Sequence, residues 1–158
     1  MKSKLLMICM GTLVALSSCL KEQEVIFVSF EEQMAIDLEI LDEYLADNNI
    51  TAQTDPSGLR YVIREQGNGP TPELTGTVRV GYEGTLLNGD VFDSNEGTSF
   101  QLNNLIEGWQ IGIPLIQEGG DITLYIPSGL AYGPQGIPGF IPANANLIFT
   151  IQLMEVTN

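Results

Sequence analysis

Histidine is missing from all 158 residues. Its absence removes Ser-His-Asp and Cys-His catalysis, and any zinc site that needs an imidazole. Cysteine occurs only at Cys9 and Cys19, so the body of the chain has neither a disulfide nor a thiolate nucleophile. Cations are scarce: six Lys and Arg stand against twenty Asp and Glu, a formal charge of −14. Nucleic-acid binding rests on clustered Lys and Arg that displace counterions, so this chain would be repelled by a phosphate backbone and nucleic acid is excluded as a partner. The acidity reads as a means of staying soluble. No residue cluster calls for a metal or an organic cofactor.

What is present begins with an address. Lys2 and Lys4 precede an apolar run from Leu5 to Leu16, followed by the small residues Ser17 and Ser18 and then Cys19. This is signal-peptide architecture, and the run is shorter than the roughly 20 residues a membrane-spanning helix needs. Leu16-Ser17-Ser18-Cys19 resembles the bacterial lipobox, which implies cleavage before Cys19 and acylation of its sulfur. The alternative is an ordinary secretory signal with an incidental cysteine. Loss of residues 1–18 leaves four cations against the twenty acids, a formal −16. Acyl chains gain about 0.8 kcal/mol per buried methylene, so the mature protein is expected to be tethered to a membrane of the cell envelope.

The 44% hydrophobic composition suffices for one core. From Phe30 to Asn48 apolar residues recur at Met34, Leu38, Leu41 and Leu45, with Ile40 and Tyr44 flanking. Acids, Asp37 among them, are assigned to the other faces of an amphipathic helix. That helix serves either a dimer face or, better, packing on the domain beside it. Asn48-Asn49 ends it, and Thr51 to Gly58 reads as a linker. Residues 19–56 are thus the tether, and 57–158 the domain.

Beyond Gly58 the period becomes two. Val78, Val80, Tyr82, Gly84 and Leu86 face one way and Asn88-Gly89 signals a hairpin turn; Ile122-Leu124-Ile126 and Leu147-Phe149-Ile151-Leu153 repeat the alternation. Leu105 to Gln117 lacks it and precedes Gly119-Gly120, so it reads as a short helix. Several half-buried antiparallel strands and one covering helix make an α+β domain.

Four motifs then stand in one order: Val80-Gly81-Tyr82-Glu83-Gly84, Val91-Phe92-Asp93-Ser94, Leu105-Ile106-Glu107-Gly108-Trp109, and Ala131-Tyr132-Gly133 through Ile141-Pro142 to Leu147-Ile148-Phe149. Together they resemble the FKBP-type peptidyl-prolyl cis/trans isomerases over roughly Ser57 to Val156. The resemblance implies an antiparallel half-barrel of five or six strands wrapped around one short helix, with an apolar pocket between them. It assigns catalytic roles to Tyr82, Phe92, Asp93, Trp109, Tyr132 and Phe149, and substrate contacts to Phe100, Leu105, Ile106, Ile137, Phe140 and Ile141. The Trp109 indole becomes the floor under a proline ring, while the Ile106 N–H and the Tyr132 hydroxyl hold ligand carbonyls. Proline-containing proteins and peptides are the implied substrates, and the family's macrolide inhibitors the implied ligands.

Such a pocket suits the reaction. The peptide torsional barrier of about 18 to 20 kcal/mol comes from amide resonance, which is lost in the twisted transition state. The twisted bond is less charge-separated than the planar one, so an apolar, water-poor pocket favours it. A ten-thousandfold acceleration asks for about 5 to 6 kcal/mol and no proton carrier.

Three departures stand against the pattern. The segment Asn95-Glu96-Gly97-Thr98-Ser99 is short and lacks the Arg that in cytosolic members pairs with the aspartate, and Asp93 before Ser-Asn could equally organise a turn. Ile137 makes the flap loop more apolar. Pro114 cannot sit inside a regular helix and shortens the one inferred there. These features keep open an alternative: a binding module or holdase with the same fold and weak turnover.

Overall fold

The computed structural model describes residues 28–158, so the signal segment and Cys19 lie outside the described residues. The first element, α1 (Phe30–Asp47), opens on a reciprocal cap. The Ser29 hydroxyl accepts the Glu32 amide at 3.2 Å and the Glu32 carboxylate accepts the Ser29 amide at 2.9 Å, which satisfies two N–H groups that helix geometry leaves free. The helix stops at Asn48, and Asn49 turns the chain with φ at 55°.

Leu41 and Leu45 bury against Tyr125, with Val62 and Ile148 packed around them, as the apolar spacing requires. Asp37 departs from the expectation: it is fully buried rather than solvent-facing. The reason is its position on the same stripe, three residues after Met34 and four before Leu41. Its carboxylate is satisfied there by Gln33 Nε2 at 2.8 Å, the Ser128 amide at 2.8 Å and the Ser128 hydroxyl at 2.6 Å. A bidentate pair from Arg60 to Asp42, at 2.9 and 3.0 Å, adds a third attachment of α1 to the domain.

Six strands form one antiparallel sheet: β1 (Gln53–Thr54), β2 (Arg60–Glu65), β3 (Thr77–Leu86), β4 (Val91–Gln101), β5 (Asp121–Ile126) and β6 (Leu147–Thr157), in spatial order β1-β2-β5-β6-β3-β4. Part of the stretch expected to be a linker is therefore sheet, since Gln53 and Thr54 pair with Tyr61 and Arg60. Ile122, Leu124 and Ile126 face the main core and Tyr125 faces α1, so β5 is covered on both sides.

Irregularities in β4 decide which side chains face inward. Val78 pairs with Phe100 and Val80 with Thr98, but Tyr82 pairs with Asn95 and Gly84 with Asp93. One extra residue thus lies in β4 between Asn95 and Thr98. Asp93 and Phe100 are seven apart and would point to opposite faces of a regular strand; the bulge brings both to the concave face. The short Asn95–Ser99 segment is this bulged middle of one continuous strand. A second extra residue, Phe92, falls between the Gly84–Asp93 and Thr85–Val91 pairs.

The helix inferred over Leu105 to Gln117 is shortened before Pro114, as expected, and also begins later, at Glu107. Only Glu107–Gly112 is α-helical (α2), and Ile113–Leu115 continues as a 3₁₀ turn carrying Pro114, where the missing N–H is tolerated. Close approach of α2 to β5 depends on two glycines. A Cβ on Gly108 would meet Ile126 Cγ2 at 2.5 Å, and one on Gly112 would meet Leu124 Cδ1 at 2.6 Å. Between those glycines stands Trp109, 4% exposed.

Candidate active site

The concave face of the sheet and the start of α2 enclose a cavity of about 160 Å³ lined by Tyr82, Asp93, Phe100, Leu105, Ile106, Trp109, Tyr132 and Phe149. Each element contributes for a local reason. Tyr82 takes the inward face of β3 and Phe149 that of β6, while the β4 bulge supplies Asp93 and Phe100. Ile106 is the N-cap of α2 with extended backbone (φ −58°, ψ 148°), so its N–H lies outside the helix's own ladder. Tyr132 comes from the long connection between β5 and β6, just after a 3₁₀ turn at Ser128–Leu130.

The floor is aromatic and set edge to face. Trp109 meets Tyr82 and Phe149 with centroids 5.1 Å apart in each case and interplanar angles of 80° and 88°, and Phe100 at 6.1 Å and 83°. Edge-to-face contacts of this kind fix ring orientation and leave an apolar surface exposed to the cavity. At the rim the Tyr82 hydroxyl donates to Asp93 Oδ2 at 2.8 Å. Asp93, short of the expected Arg, is thus oriented by a phenol. Burial, that hydrogen bond and the negative charge of Asp93 push the Tyr82 phenol up to about 12. Burial and the same carboxylate also raise Tyr132. Both hydroxyls are therefore protonated donors at neutral pH.

Four of the residues assigned to the pocket are not among those lining this cavity. Phe92, the extra residue of the second β4 bulge, packs edge-on behind Phe149 with centroids 5.5 Å apart and supports it from outside the cavity. Ile141 is a core residue, 4% exposed, and Ile137 is half-buried and bridges to it across the flap turn, with Ile137 N–H donating to the Ile141 carbonyl at 2.8 Å. Phe140 sits at the tip of that turn, 67% exposed, beside a separate hollow with Pro138 and Pro142. Ile141 and Ile137 pack with the main core across this paired turn, and Phe140 stays exposed at its tip.

Residues 69–154 match the profile of the FKBP-type peptidyl-prolyl cis-trans isomerases. The chain belongs to this family. It is 44% identical over 108 residues to the FKBP-type isomerase FkpA of Escherichia coli K12, a match covering 66% of this chain and 40% of the relative. To the outer membrane protein MIP of Legionella longbeachae it is 42% identical over 105 residues, covering 64% of this chain and 45% of the relative. The crystal structure of E. coli FkpA superposes with a TM-score of 0.71 at 38% identity, over 80% of this chain and 62% of that one. The matches thus take in less than half the length of these curated relatives. Six antiparallel strands, a short helix and a preceding helix make this an FKBP fold.

Sequence reasoning missed one group that bears on an FKBP pocket. The Asp37 carboxylate holds Ser128, and the Asn146 side chain closes the set: its Oδ1 accepts the Ser128 amide at 3.1 Å and its Nδ2 donates to the Asp37 carbonyl at 3.1 Å. Ser128 lies four residues before Tyr132, so α1 grips the base of the loop that supplies a pocket wall. The signal was available in the helix: an acid on the apolar stripe between Met34 and Leu41 must find buried partners.

Proposed function

We propose that this chain catalyses cis/trans isomerisation of X-Pro bonds in proteins of the bacterial cell envelope. The observation that carries the reading is the aromatic cup itself: a buried indole floor walled edge-on by Tyr82, Phe100 and Phe149, with hydrogen-bond donors at its rim. A proline ring seats on Trp109 while the Ile106 N–H and the Tyr132 hydroxyl hold flanking carbonyls. The apolar cup then lowers the barrier by favouring the twisted amide, whose charge separation is reduced. Asp93, tied to Tyr82, lies at the rim where the rotating carbonyl passes.

The direct test is turnover of a four-residue peptide with one X-Pro bond, with and without a macrolide inhibitor of FKBP proteins. Accelerated, macrolide-sensitive isomerisation is the expected result. Macrolide binding without acceleration would instead select the holdase reading, which the apolar flap with its exposed Phe140 favours.

Since catalysis needs no proton transfer and both pocket phenols stay protonated, the rate constant should be flat from about pH 6 to 8. Tyr82 also sets a limit at high pH. Its folded value lies above the ordinary phenol value near 10, so its contribution to stability is complete below about 10 and is lost as pH rises towards 12. A sigmoidal rate profile between pH 6 and 8 that disappears in Asp93→Asn would replace this mechanism with acid catalysis.

We assign the protein to a lipid anchor at Cys19. The lipobox-like Leu16-Ser17-Ser18-Cys19 supports this, and the Legionella relative named an outer membrane protein is consistent with an envelope address. Cys19→Ala should abolish acyl labelling in cells and leave an unprocessed precursor. Normal processing with undiminished label would refute the anchor.

A further inference from the structure

Beside the Trp109 pocket lies a larger groove, about 590 Å³ against about 160 Å³, and Tyr132 lines both. One wall is the start of α1, with Val28, Phe30 and Met34; the other is the connection after β5, with Ala131, Gln135 and Asn144. We propose that this groove is an extended channel for the substrate polypeptide, taking apolar residues that flank the isomerised proline. The proposal rests on the prolyl-isomerase reading of the Trp109 pocket, and it adds a substrate preference to that reading.

The occupant follows from continuity and charge. A cavity of about 160 Å³ is smaller than the roughly 300 to 1,000 Å³ usual for ligand sites, so the Trp109 cup holds little beyond the proline ring. Tyr132 borders both, so a chain leaving the cup past this side chain would reach the groove next. Among the described residues no charged side chain lines the groove, although the chain carries twenty acids. Phe30 is 65% and Val28 47% exposed, so the groove presents apolar side chains that the fold leaves in water. Apolar substrate side chains would bury that surface, and the Gln135 and Asn144 amides offer partners for a peptide backbone.

The groove is also built before any ligand arrives. A Cβ on Gly129 would meet Phe30 Cε2 at 2.8 Å, which means that the Phe30 ring lies against the loop backbone and needs a glycine there. The Asp37–Ser128 bonds at 2.8 and 2.6 Å fix the two walls relative to each other. A preformed site of this kind loses little ordering entropy on binding.

Two peptides with the same X-Pro bond test the proposal on the full-length protein. One has four residues; the other has about twelve, with Leu and Val on both sides of the bond. The longer peptide is expected to show a kcat/KM about tenfold higher, mainly through KM. Phe30→Glu should bring the long-to-short ratio close to one, and replacing the flanking Leu and Val by Glu should do the same in the wild type. Phe30→Glu places an acid in an exposed first helical turn, where the helix dipole favours it, and an unchanged urea midpoint verifies the fold. Ile40→Glu, at an exposed α1 position outside the groove, should leave the ratio at its wild-type value. A wild-type ratio near one, or a ratio that survives Phe30→Glu, overturns the channel while leaving short-peptide turnover intact. A ratio that depends on protein concentration would give the groove to a second copy and overturn the proposal too. If the four-residue peptide is not turned over at all, the isomerase reading fails first, and the channel falls with it.

Discussion

Trp109→Ala is expected to lower the free energy of unfolding by about 4 kcal/mol and to abolish isomerase turnover. The indole is 4% exposed and touches three aromatic rings edge-on, so its removal opens a large void beneath a pocket whose walls lose their common support. For a domain of this size the loss is a fall in Tm on the order of 10 to 15 °C. Far-UV circular dichroism in urea is the right readout, because the substitution removes the only tryptophan and with it the tryptophan emission. Trp109→Phe separates floor from fold. The Trp109 Nε1 hydrogen is buried with no hydrogen-bond partner among the described residues, so a phenyl ring gives up no hydrogen bond seen there while keeping an apolar surface. That variant should lose less than about 1.5 kcal/mol and retain measurable turnover. Trp109→Ala within 1 kcal/mol of wild type would mean that the cup is held by something other than the indole.

The same ring shows what the chain disclosed in advance and what it did not. Alternation along Val78–Leu86, Ile122–Ile126 and Leu147–Leu153 is a local property, and the structure places those residues on strands with their apolar sets inward. Tyr82 and Phe149 converge because they sit on strands whose inward face is set by that alternation, while Trp109 on α2 and Tyr132 in the connection after β5 reach the cavity from outside it. Phe92 shows where the reading stops. A bulge adds one residue to β4, and nothing in the alternation of Val91-Phe92-Asp93-Ser94 marks it, so the sequence does not separate Asp93, which lines the cavity, from Phe92, whose ring packs on Phe149. Ile137, Phe140 and Ile141 are absent from the cavity lining for a related reason: a turn closed by backbone pairing sets their placement, and the side-chain sequence records it weakly. β1 was hidden inside a Thr-, Pro- and Gly-containing stretch, because its two residues form a strand only through pairing with β2.

Asp37 was misplaced by a different error, which treated a charge as a solvent marker, and it supports the second large effect. Asp37→Ala is expected to cost about 3 kcal/mol. Hydrogen bonds to a charged group are worth roughly 1.5 to 3 kcal/mol each, and the carboxylate accepts two from Ser128 and one from Gln33 in a buried site, though their values do not add in full. Alanine would leave the Ser128 hydroxyl without its acceptor, and the Ser128 amide with only Asn146 Oδ1 at 3.1 Å. Ser128→Ala removes one donor and should cost about 1 to 2 kcal/mol, and the double variant should cost less than the sum by at least about 1 kcal/mol, the signature of a direct contact. Urea unfolding of the four proteins supplies those values. The functional consequence follows from position, since Ser128 begins the 3₁₀ turn that leads to Tyr132. Releasing α1 loosens the Tyr132 wall while the Trp109 floor, held by β3 and β6, stays in place. In Asp37→Ala, KM for a proline peptide should therefore rise several-fold with a smaller change in kcat, and Asp37→Glu should not restore it, because one more methylene cannot fit the closed site. Destabilisation with unchanged KM would show that the clamp only fastens the helix, and stability within 0.5 kcal/mol of wild type would show that the carboxylate's bonds are not what secures α1.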